Sequence, residues 1–392
     1  MKNNYDVIVV GGGPAGSMAA MEIATAGYSV CILEKDRDIG MPVRCGEAIG
    51  YTGLNQFFKP QKGWIASELN GIKLVAPNGI DIDVDFRNET GYILNRRIFD
   101  YDLSRIAVER GAEVYTKSYV HNVIKENNFI KGVFVNYLGK DIKIKSKLVI
   151  GADGIESRIG RWSGLNTMVR MKDMESCVQY SVANIEIDQA KMIMFIGQKY
   201  APGGYLWIFP KGKGFANIGI GISGKFSKYK SAKKYLDEFI RKKYPGISIL
   251  TTVCGGVSCA KPQREPIGNG VMLVGDAAHQ INPMTGGGIA SGMKGGQIAG
   301  KVAVESLQNN KFSKDFLKKY PKKMLRDFGK NHDRFYRIKE AINQLKDEDL
   351  DYIANQVSKV PDTKRSLSTI FKHAVYKKPS IIIDVIKVFA GV

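Results

Sequence analysis

Long apolar runs are missing from this chain. None reaches the roughly 18 to 20 residues that a membrane-spanning helix needs, and the first residues enter a strand-like run at once, where a secretory leader would show a basic and then an apolar segment. Cysteine is scarce: Cys31, Cys45, Cys177, Cys254 and Cys259 are scattered, odd in number and contain no CxxC pair. That excludes a disulfide framework and the usual zinc and iron–sulfur spacings, so no metal site is expected and a reducing cytoplasm fits. No internal repeat and no low-complexity segment stands out. Acidic residues are also short against basic ones, 38 Asp and Glu against 58 Lys and Arg, for a formal charge of +20. Such an excess suits an anionic partner or a solvated Lys-rich surface. Nucleic acid fits poorly, because the basic residues are dispersed and no binding motif accompanies them.

What is present describes a folded globular chain. Its 392 residues allow two or three core-forming units, and 24% charged and 44% hydrophobic residues are ordinary proportions. The opening "YDVIVVGGGPAGSMAAMEIATAGYSVCILEK" carries the first chemical signal. Val7 to Val10 is a β-branched apolar run, read as a buried parallel strand. Gly11, Gly13 and Gly16 form a GxGxxG turn into a helix with Ala19, Ala20, Ile23 and Ala24 at helical spacing. Gly11 permits the tight turn, Gly13 the approach of a pyrophosphate, and Gly16 the packing of helix on strand. The helix N-terminus offers free N–H groups to the phosphates. Glu34, ending the next strand, can accept both hydrogens of a ribose diol, which favours FAD or NAD over NADP.

Three later segments bear on the choice of dinucleotide. "NRRIFDYDL" places Arg97 at the start of a helix. "KLVIGADG" places Asp153 and Gly154 after a strand. "GVMLVGDAAHQINPMTGGGIASG" sets Gly275 and Asp276 after a strand, and then the triplet Gly286, Gly287 and Gly288 before a helix of small residues. This last segment reads as a second cradle, with Asp276 for hydroxyls and the triplet for backbone contact. Two cradles so far apart in sequence suit one long cofactor, and FAD is long enough. A different signal lies in "GYLWIFPKGKGFANIGIG": strand alternation puts Tyr205, Trp207 and Phe209 on one face and Leu206 and Ile208 on the other, with a turn at Lys211 to Gly214.

Taken together, these segments resemble the p-hydroxybenzoate hydroxylase-type FAD fold, with its GxGxxG, DG and GDAAH…GGG set. Within it the chain is similar to the geranylgeranyl reductases, most closely their archaeal digeranylgeranylglycerophospholipid branch, over roughly residues 5 to 300. Two marks are specific to that family: YxWxFPx8G, matched by Tyr205, Trp207, Phe209, Pro210 and Gly219, and an early Cx4G, matched by Cys45 and Gly50. The resemblance implies that FAD is held by Gly11, Gly13, Ala15, Gly16, Glu34, Arg44, Cys45, Gly46, Arg97, Asp153, Gly154, Gly275, Asp276, Gly286, Gly287, Gly288 and Ile289. It implies catalytic positions at Cys45, Tyr205 and Trp207. The implied reaction is saturation of isolated double bonds in the geranylgeranyl chains of a membrane phospholipid by hydride from reduced flavin. Electrons would come from outside, from a ferredoxin, a deazaflavin or a nicotinamide. Peripheral contact with the inner face of the membrane would bring the enzyme to its prenylated glycerophospholipid. An aromatic monooxygenase of the same fold is the competing reading, and a non-catalytic FAD-containing lipid carrier a third.

The expected fold class is α/β: a Rossmann-like FAD-binding domain, an antiparallel-sheet substrate domain and a helical C-terminal region. The FAD domain is expected to be discontinuous, over 1–60, 90–165 and 260–300. The substrate sheet takes 61–89 and 166–259, and the basic helical region takes 301–392. The terminal "RSLSTIFKHAVYKKPSIIIDVIKVFAGV", with Lys372, Lys377, Lys378 and Lys387 among apolar residues, suits either a packed face arching over substrate or an amphipathic helix on an anionic membrane. His279 is given no catalytic role.

Overall fold

The computed structural model describes residues 1–86, 90–377 and 379–389. Residues 87–89 of the expected substrate segment, Lys378 and residues 390–392 lie outside the described residues. The β-branched opening forms the strand Asn4–Val10, buried from both sides after its first turn. It pairs in parallel with Val30–Leu33 on one side and with Lys140–Gly151 on the other. Glu113–Tyr115 and Val271–Leu273 extend the parallel core outward, and Ser118–Glu126 and Phe129–Tyr137 form an antiparallel meander that feeds Lys140–Gly151. The result is an eight-stranded sheet in which Asn4–Val10 and Lys140–Gly151 are central neighbours and Val271–Leu273 lies just outside them. The carboxyl ends of its parallel strands carry the GxGxxG, DG and GDAAH turns, where open α/β sheets bind ligands.

Two helices cover one face and cross each other closely. Pro14–Thr25 packs Ala19, Ala20, Ile23 and Ala24 inward, and Ile289–Gln308 lies against it through Gly292, Gly296 and Gly300. A β-carbon on Gly296 would stand 2.0 Å from the carbonyl oxygen of Ala15, and one on Gly300 2.7 Å from Cβ of Glu22. The small residues of the second helix therefore set its distance from the first.

A second sheet has seven strands in the order Ser248–Ser258, Met174–Ala183, Phe215–Ser223, Tyr205–Pro210, Lys191–Ile196, Gly71–Val75 and Asp81–Asp85. The sequence suggests an antiparallel sheet, and all pairs are antiparallel but one: Lys191–Ile196 runs parallel to Gly71–Val75. The reason is connectivity. Gly71–Val75 and Asp81–Asp85 form an early hairpin that joins a sheet otherwise built by residues 174–258, and the long intervening segment lets it dock in either direction. The neighbouring strand Ile65–Leu69 does not join them. It pairs with Gly91–Leu94, which also pairs with Ala48–Gly50, in a three-stranded sheet between the two larger ones.

One face of the seven-stranded sheet packs Leu206, Ile208, Ile218 and Ile220 against the helix Ala232–Lys243 through Leu236, Phe239 and Ile240. The other face carries Tyr205, Trp207 and Phe209. The C-terminal third is helical. Asp347–Ser358 and Leu367–Lys377 cover the Gly71–Asp85 end of that second face through Ile353, Ala354, Val357 and Ala374. Phe371 and Val385 pack against the helix Lys330–Ile342 through Ile338 and Ala341, and Arg337 Nε donates to Asp384 at 2.7 Å. Of the two arrangements expected for the last helices, the packed one is seen. No helix among the described residues is long and apolar enough to cross a membrane.

Close helix crossing at Gly296 gives a direct test. Gly296→Val should lower unfolding stability by about 1–3 kcal/mol or more, measured by denaturant titration. An unchanged midpoint would show that the helices can separate without cost.

Candidate active site

The space between the two sheets is one continuous cavity of about 1200 Å³. At one end it is lined by Gly13, Ala15, Gly154, Asp276 and the stretch Gly286 to Ile289, where the three glycine turns converge. The opposite end is apolar, with Ile72, Leu74, Met192, Met194, Ile353 and Phe371 around it. Cys45, Gly46, Tyr205, Trp207 and Phe209 stand between the two ends.

Backbone geometry fits a dinucleotide at the first end. Gly11 has φ +108°, and a β-carbon there would sit 2.2 Å from the carbonyl oxygen of Ala152; one on Gly16 would sit 2.0 Å from that of Gly11. Neither glycine lines the cavity. Both let the turn fold tightly enough for Gly13 and Ala15 to do so, and the space beside Gly13 is clear of protein within 4 Å. Glu34 also stands behind the lining. Its Oε2 accepts from the N–H of Gly12 at 2.8 Å and its Oε1 from that of Asp36 at 2.9 Å. Asp153 Oδ2 accepts from the N–H of Ile159, while Oδ1 is buried without a partner. Burial raises the Asp276 carboxyl above the usual carboxylate range, and the Arg96 guanidinium opposes the rise. Asp153 does not line the cavity; a half-buried acid facing it, Asp276, and glycine turns with open space before them are what an FAD ribityl and pyrophosphate chain requires.

Arginine positions divide differently from the sequence reading. Arg97 is exposed and does not line the cavity, whereas its neighbour Arg96 does and forks onto Asp100 at 2.6 Å through both Nε and NH2. Both sit in the first turn of Arg96–Glu109, and one residue of helix rotates the side chain by about 100°. Arg44 lines the cavity from the exposed side of the Cys45 loop. His279 is buried with its Nε2 3.3 Å from the carbonyl oxygen of Thr167 and with φ +55°, and burial lowers its pKa. It is a structural group at the left-handed end of the GDAAH turn.

The aromatic wall takes its form from the second family mark. Tyr205, Trp207 and Phe209 stack along the strand, with ring centroids 5.8 and 6.2 Å apart. Gly219 and Gly221 stand opposite Trp207 and Tyr205 on the adjoining strand. A β-carbon at Gly219 would lie 2.2 Å from the indole ring, so glycine there leaves the place in which Trp207 lies. Gly46 does the same for the Cys45 loop, where a β-carbon would stand 2.9 Å from the Phe209 ring. Tyr205 donates its hydroxyl hydrogen to the carbonyl of Thr285 at 2.5 Å, directly before the glycine triplet. The wall thus reaches from the apolar chamber to the cofactor cradle.

Polar contacts that motif reading missed hold the Cys45 loop to this wall. Trp207 Nε1 donates to Gln179 Oε1 at 3.0 Å, and Gln179 Nε2 donates to the Cys45 carbonyl at 2.9 Å. Glu47 is buried at φ +73°. Its Oε1 accepts from the N–H of Arg96 at 2.9 Å. Its Oε2 accepts from Asn217 at 2.6 Å and stands 2.8 Å from the Lys211 ammonium. Lys211 also donates to the Leu94 carbonyl at 2.6 Å. The signal was available in "MESCVQYSVA", where Glu175, Cys177 and Gln179 alternate with Val178, Tyr180 and Val182. A polar face beside an apolar one in a strand between two others marks a built interior surface. Burial raises the Cys45 thiol above its ordinary pKa, so it stays uncharged.

Comparison with known proteins gives the same picture. Residues 6–196 match a family model described as FAD dependent oxidoreductase, and residues 173–257 match one described as geranylgeranyl reductase catalytic domain. A digeranylgeranylglycerophospholipid reductase of Methanococcoides burtonii is 42% identical over 94% of this chain and 91% of its own length. One of Methanocella arvoryzae is 36% identical over 98% of this chain and 99% of its own. The crystal structure of a geranylgeranyl bacteriochlorophyll reductase-like protein from Thermoplasma acidophilum superposes with a TM-score of 0.92 at 37% identity, covering 98% of this chain and 99% of that one. A flavin-dependent brominase at 17% identity and TM-score 0.67 shares the fold alone.

The Glu47–Lys211 pair is testable by a double-mutant cycle. Lys211→Met leaves a buried carboxylate short of its counter-charge and should cost about 3 kcal/mol, read by denaturant unfolding. Adding Glu47→Gln should recover part of that loss, because the Asn217 amide can turn to meet a neutral partner. A double variant no more stable than Lys211→Met would dismiss the buried charge as the cause.

Proposed function

The chain belongs to the geranylgeranyl reductase family of FAD-dependent oxidoreductases, and from that membership we propose that it saturates isolated double bonds in the geranylgeranyl chains of an archaeal-type glycerophospholipid. The observation that carries this reading is the single cavity, which joins an FAD cradle to an apolar chamber across an aromatic wall. FAD, when bound and reduced, supplies the hydride. Everything else is asked of the protein. A trisubstituted alkene remote from any carbonyl has no electrophilic carbon, so a proton must reach its less substituted carbon and leave positive charge on the tertiary one. Water near that charge would trap it as an alcohol, and a dry chamber prevents this.

The chamber suits such a chain. Burying each methylene contributes about 0.8 kcal/mol, and Met192 and Met194 can adapt to a branched isoprenoid. Tyr205 and Trp207 stand where the chain would approach the cradle, and ring faces stabilise nearby positive charge by roughly 0.5–2 kcal/mol each. Cys45, uncharged beside Gly46, borders the same junction. Gly13, Ala15, Gly154, Asp276 and the Gly286 to Ile289 turn would hold FAD, with Gly11, Gly16, Glu34 and Asp153 shaping their turns. Arg44 would act from the exposed side of the cofactor, and electrons would enter from an external donor.

Peripheral membrane contact belongs to the same reading. The helix Ile382–Phe389, packed behind the helices that cover the chamber, exposes Ile382 and Ile383, and the chain carries a net charge of +20. Both features suit an anionic lipid surface.

Anaerobic incubation of chemically reduced protein with a geranylgeranyl glycerophospholipid should yield saturated chains, identified by mass spectrometry. A requirement for oxygen, or a hydroxylated product, would select the monooxygenase reading. Trp207→Ala should retain FAD yet lower saturation on the order of 10²-fold by misplacing the chain; an unchanged rate and product pattern would remove Trp207 from the site. Cosedimentation with vesicles should rise with anionic lipid content and weaken with salt. Equal binding to neutral vesicles would argue against electrostatic docking.

A further inference from the structure

Among the described residues, two buried side chains on the cavity wall keep an unpartnered polar atom, His332 at Nδ1 and Glu175 at Oε2. Burial lowers the His332 imidazole to about 4, which leaves it a poor proton carrier. Glu175 belongs to the same face as Cys177 and Gln179, and it lines the cavity. It is 7% exposed, and its Oε2 has no hydrogen-bond partner. Leaving a buried carboxyl oxygen unpaired costs about 1–3 kcal/mol, so a chain that only needed a dry wall would place an apolar residue there. A glycine keeps the space over it open: a β-carbon at Gly204 would stand 3.0 Å from Oε2. Gly221, the cross-strand partner of Cys177, lies in the strand beside it. Gly221 is paired with Tyr205 in the next strand, and Tyr205 reaches the Thr285 carbonyl before the glycine triplet. The carboxyl therefore flanks the part of the wall nearest the cofactor cradle.

The titratable groups around it are Asp173 and Cys177 on its own chain segment, Tyr205 on the aromatic strand, Cys259 after the edge strand, and Lys339 on the helix Lys330–Ile342. Lys339 is itself buried and already engaged: Nζ donates to the Cys259 carbonyl at 2.7 Å and to Asp173 Oδ1 at 3.2 Å. Burial pushes the Glu175 carboxyl up to about 8, with Lys339 opposing and Asp173 adding to the rise. Cys177, Cys259 and Tyr205 are each raised by their own burial, so they stay uncharged there.

We propose that Glu175 is the acid that protonates the alkene, a role that rests on the reductase reading. The carboxyl O–H bond breaks, and the π electron pair forms a new C–H bond at the less substituted carbon. The tertiary carbon accepts the hydride that reduced flavin supplies in that reading, which closes the electron balance. Glu175 is left as a carboxylate that the nearby Lys339 ammonium stabilises, and it regains its proton from solvent once product leaves.

The test pairs activity with a measurement on the flavin-free protein. Glu175→Gln keeps the shape and removes the acid. It should retain FAD and co-purified lipid while losing on the order of 10²–10⁴-fold in saturation rate. Glu175→Asp should recover part of the rate with a displaced pH profile. Wild-type activity should fall about tenfold per pH unit above about 8, where the carboxyl ionises. In flavin-free protein at pH 7, infrared spectroscopy should show a protonated carboxylic acid band that Glu175→Gln lacks. Stability carries the same signature: a carboxyl with a raised folded pKa loses its folding advantage as pH climbs from 4.5 to about 8. Wild type should therefore weaken across that window relative to Glu175→Gln. A Glu175→Gln enzyme within about twofold of wild type, or an infrared spectrum without that band, would overturn the acid role and leave the reductase reading standing. Wild-type protein that binds prenyl lipid but never saturates it would overturn the reductase reading and this role together.

Discussion

A buried carboxylate, Glu47, is the joint on which the two halves of the site depend. It sits in a left-handed turn after Cys45, and its two oxygens gather three separate pieces of chain: the N-terminus of Arg96–Glu109, the hairpin lysine Lys211 and the strand residue Asn217. The first belongs to the dinucleotide side and the other two to the seven-stranded sheet. Desolvating a carboxylate is costly, and a single lysine seldom offsets it alone. Here two further hydrogen bonds share the charge, and Lys211 adds a bond to the Leu94 carbonyl. The arrangement fixes where the Cys45 loop lies, and hence how far the aromatic wall stands from the cofactor cradle. Gln179 repeats the connection from the other side by linking Trp207 to the Cys45 carbonyl.

Glycine makes these approaches possible at specific points. Gly46 permits the loop to rest on the Phe209 ring, Gly219 leaves the trough for Trp207, and Gly204 leaves room above Glu175. Each is a position where a β-carbon would meet a ring or a carboxyl oxygen. The spacing between the aromatic residues and the glycine that follows is then a statement about shape. The strand bearing the rings and the strand bearing the gaps are adjacent, joined by a tight turn at Lys211 to Gly214, so the pairing of Trp207 with Gly219 follows from hairpin register.

How much of this was legible in the sequence depends on the range of the interaction. The glycine turns, the parallel strands beside them and the hairpin Tyr205–Ser223 follow from local pattern, and the structure has them where the pattern puts them. The shared side of Tyr205, Trp207 and Phe209 follows from alternation alone. Glu47, Asn217 and Glu175 were not legible as site residues, because their significance comes from partners or voids contributed by segments up to 170 residues away. Alternation could have flagged Glu175 and Gln179 as polar groups on an interior face. The choice between Arg96 and Arg97 turned on the phase of a helix whose first residue a pattern fixes only to within a residue or two. The parallel pairing of Lys191–Ile196 with Gly71–Val75 was likewise a matter of long connections, about which periodicity is silent.

From the strand Met174–Ala183 to the far edge of the seven-stranded sheet, polarity on the cavity face falls. Val257 on the edge strand stands beside Gly286. Glu175, Cys177 and Gln179 occupy the next strand, the rings of Tyr205 and Trp207 come two strands further on, and Met192, Met194, Ile72, Leu74 and Ile82 make up the remainder. An apolar chain gains from burial anywhere along the far strands, but only at the near end does it meet groups able to hold a proton or soften a charge. Such a gradient orders a flexible substrate without any specific contact to its repeating units. The chain can slide within the apolar part, while the chemistry is confined to whichever double bond reaches the rings. A wall of uniform polarity would give up one of these properties: a wholly apolar one would bind without reacting, and a wholly polar one would admit the water that the reaction has to exclude.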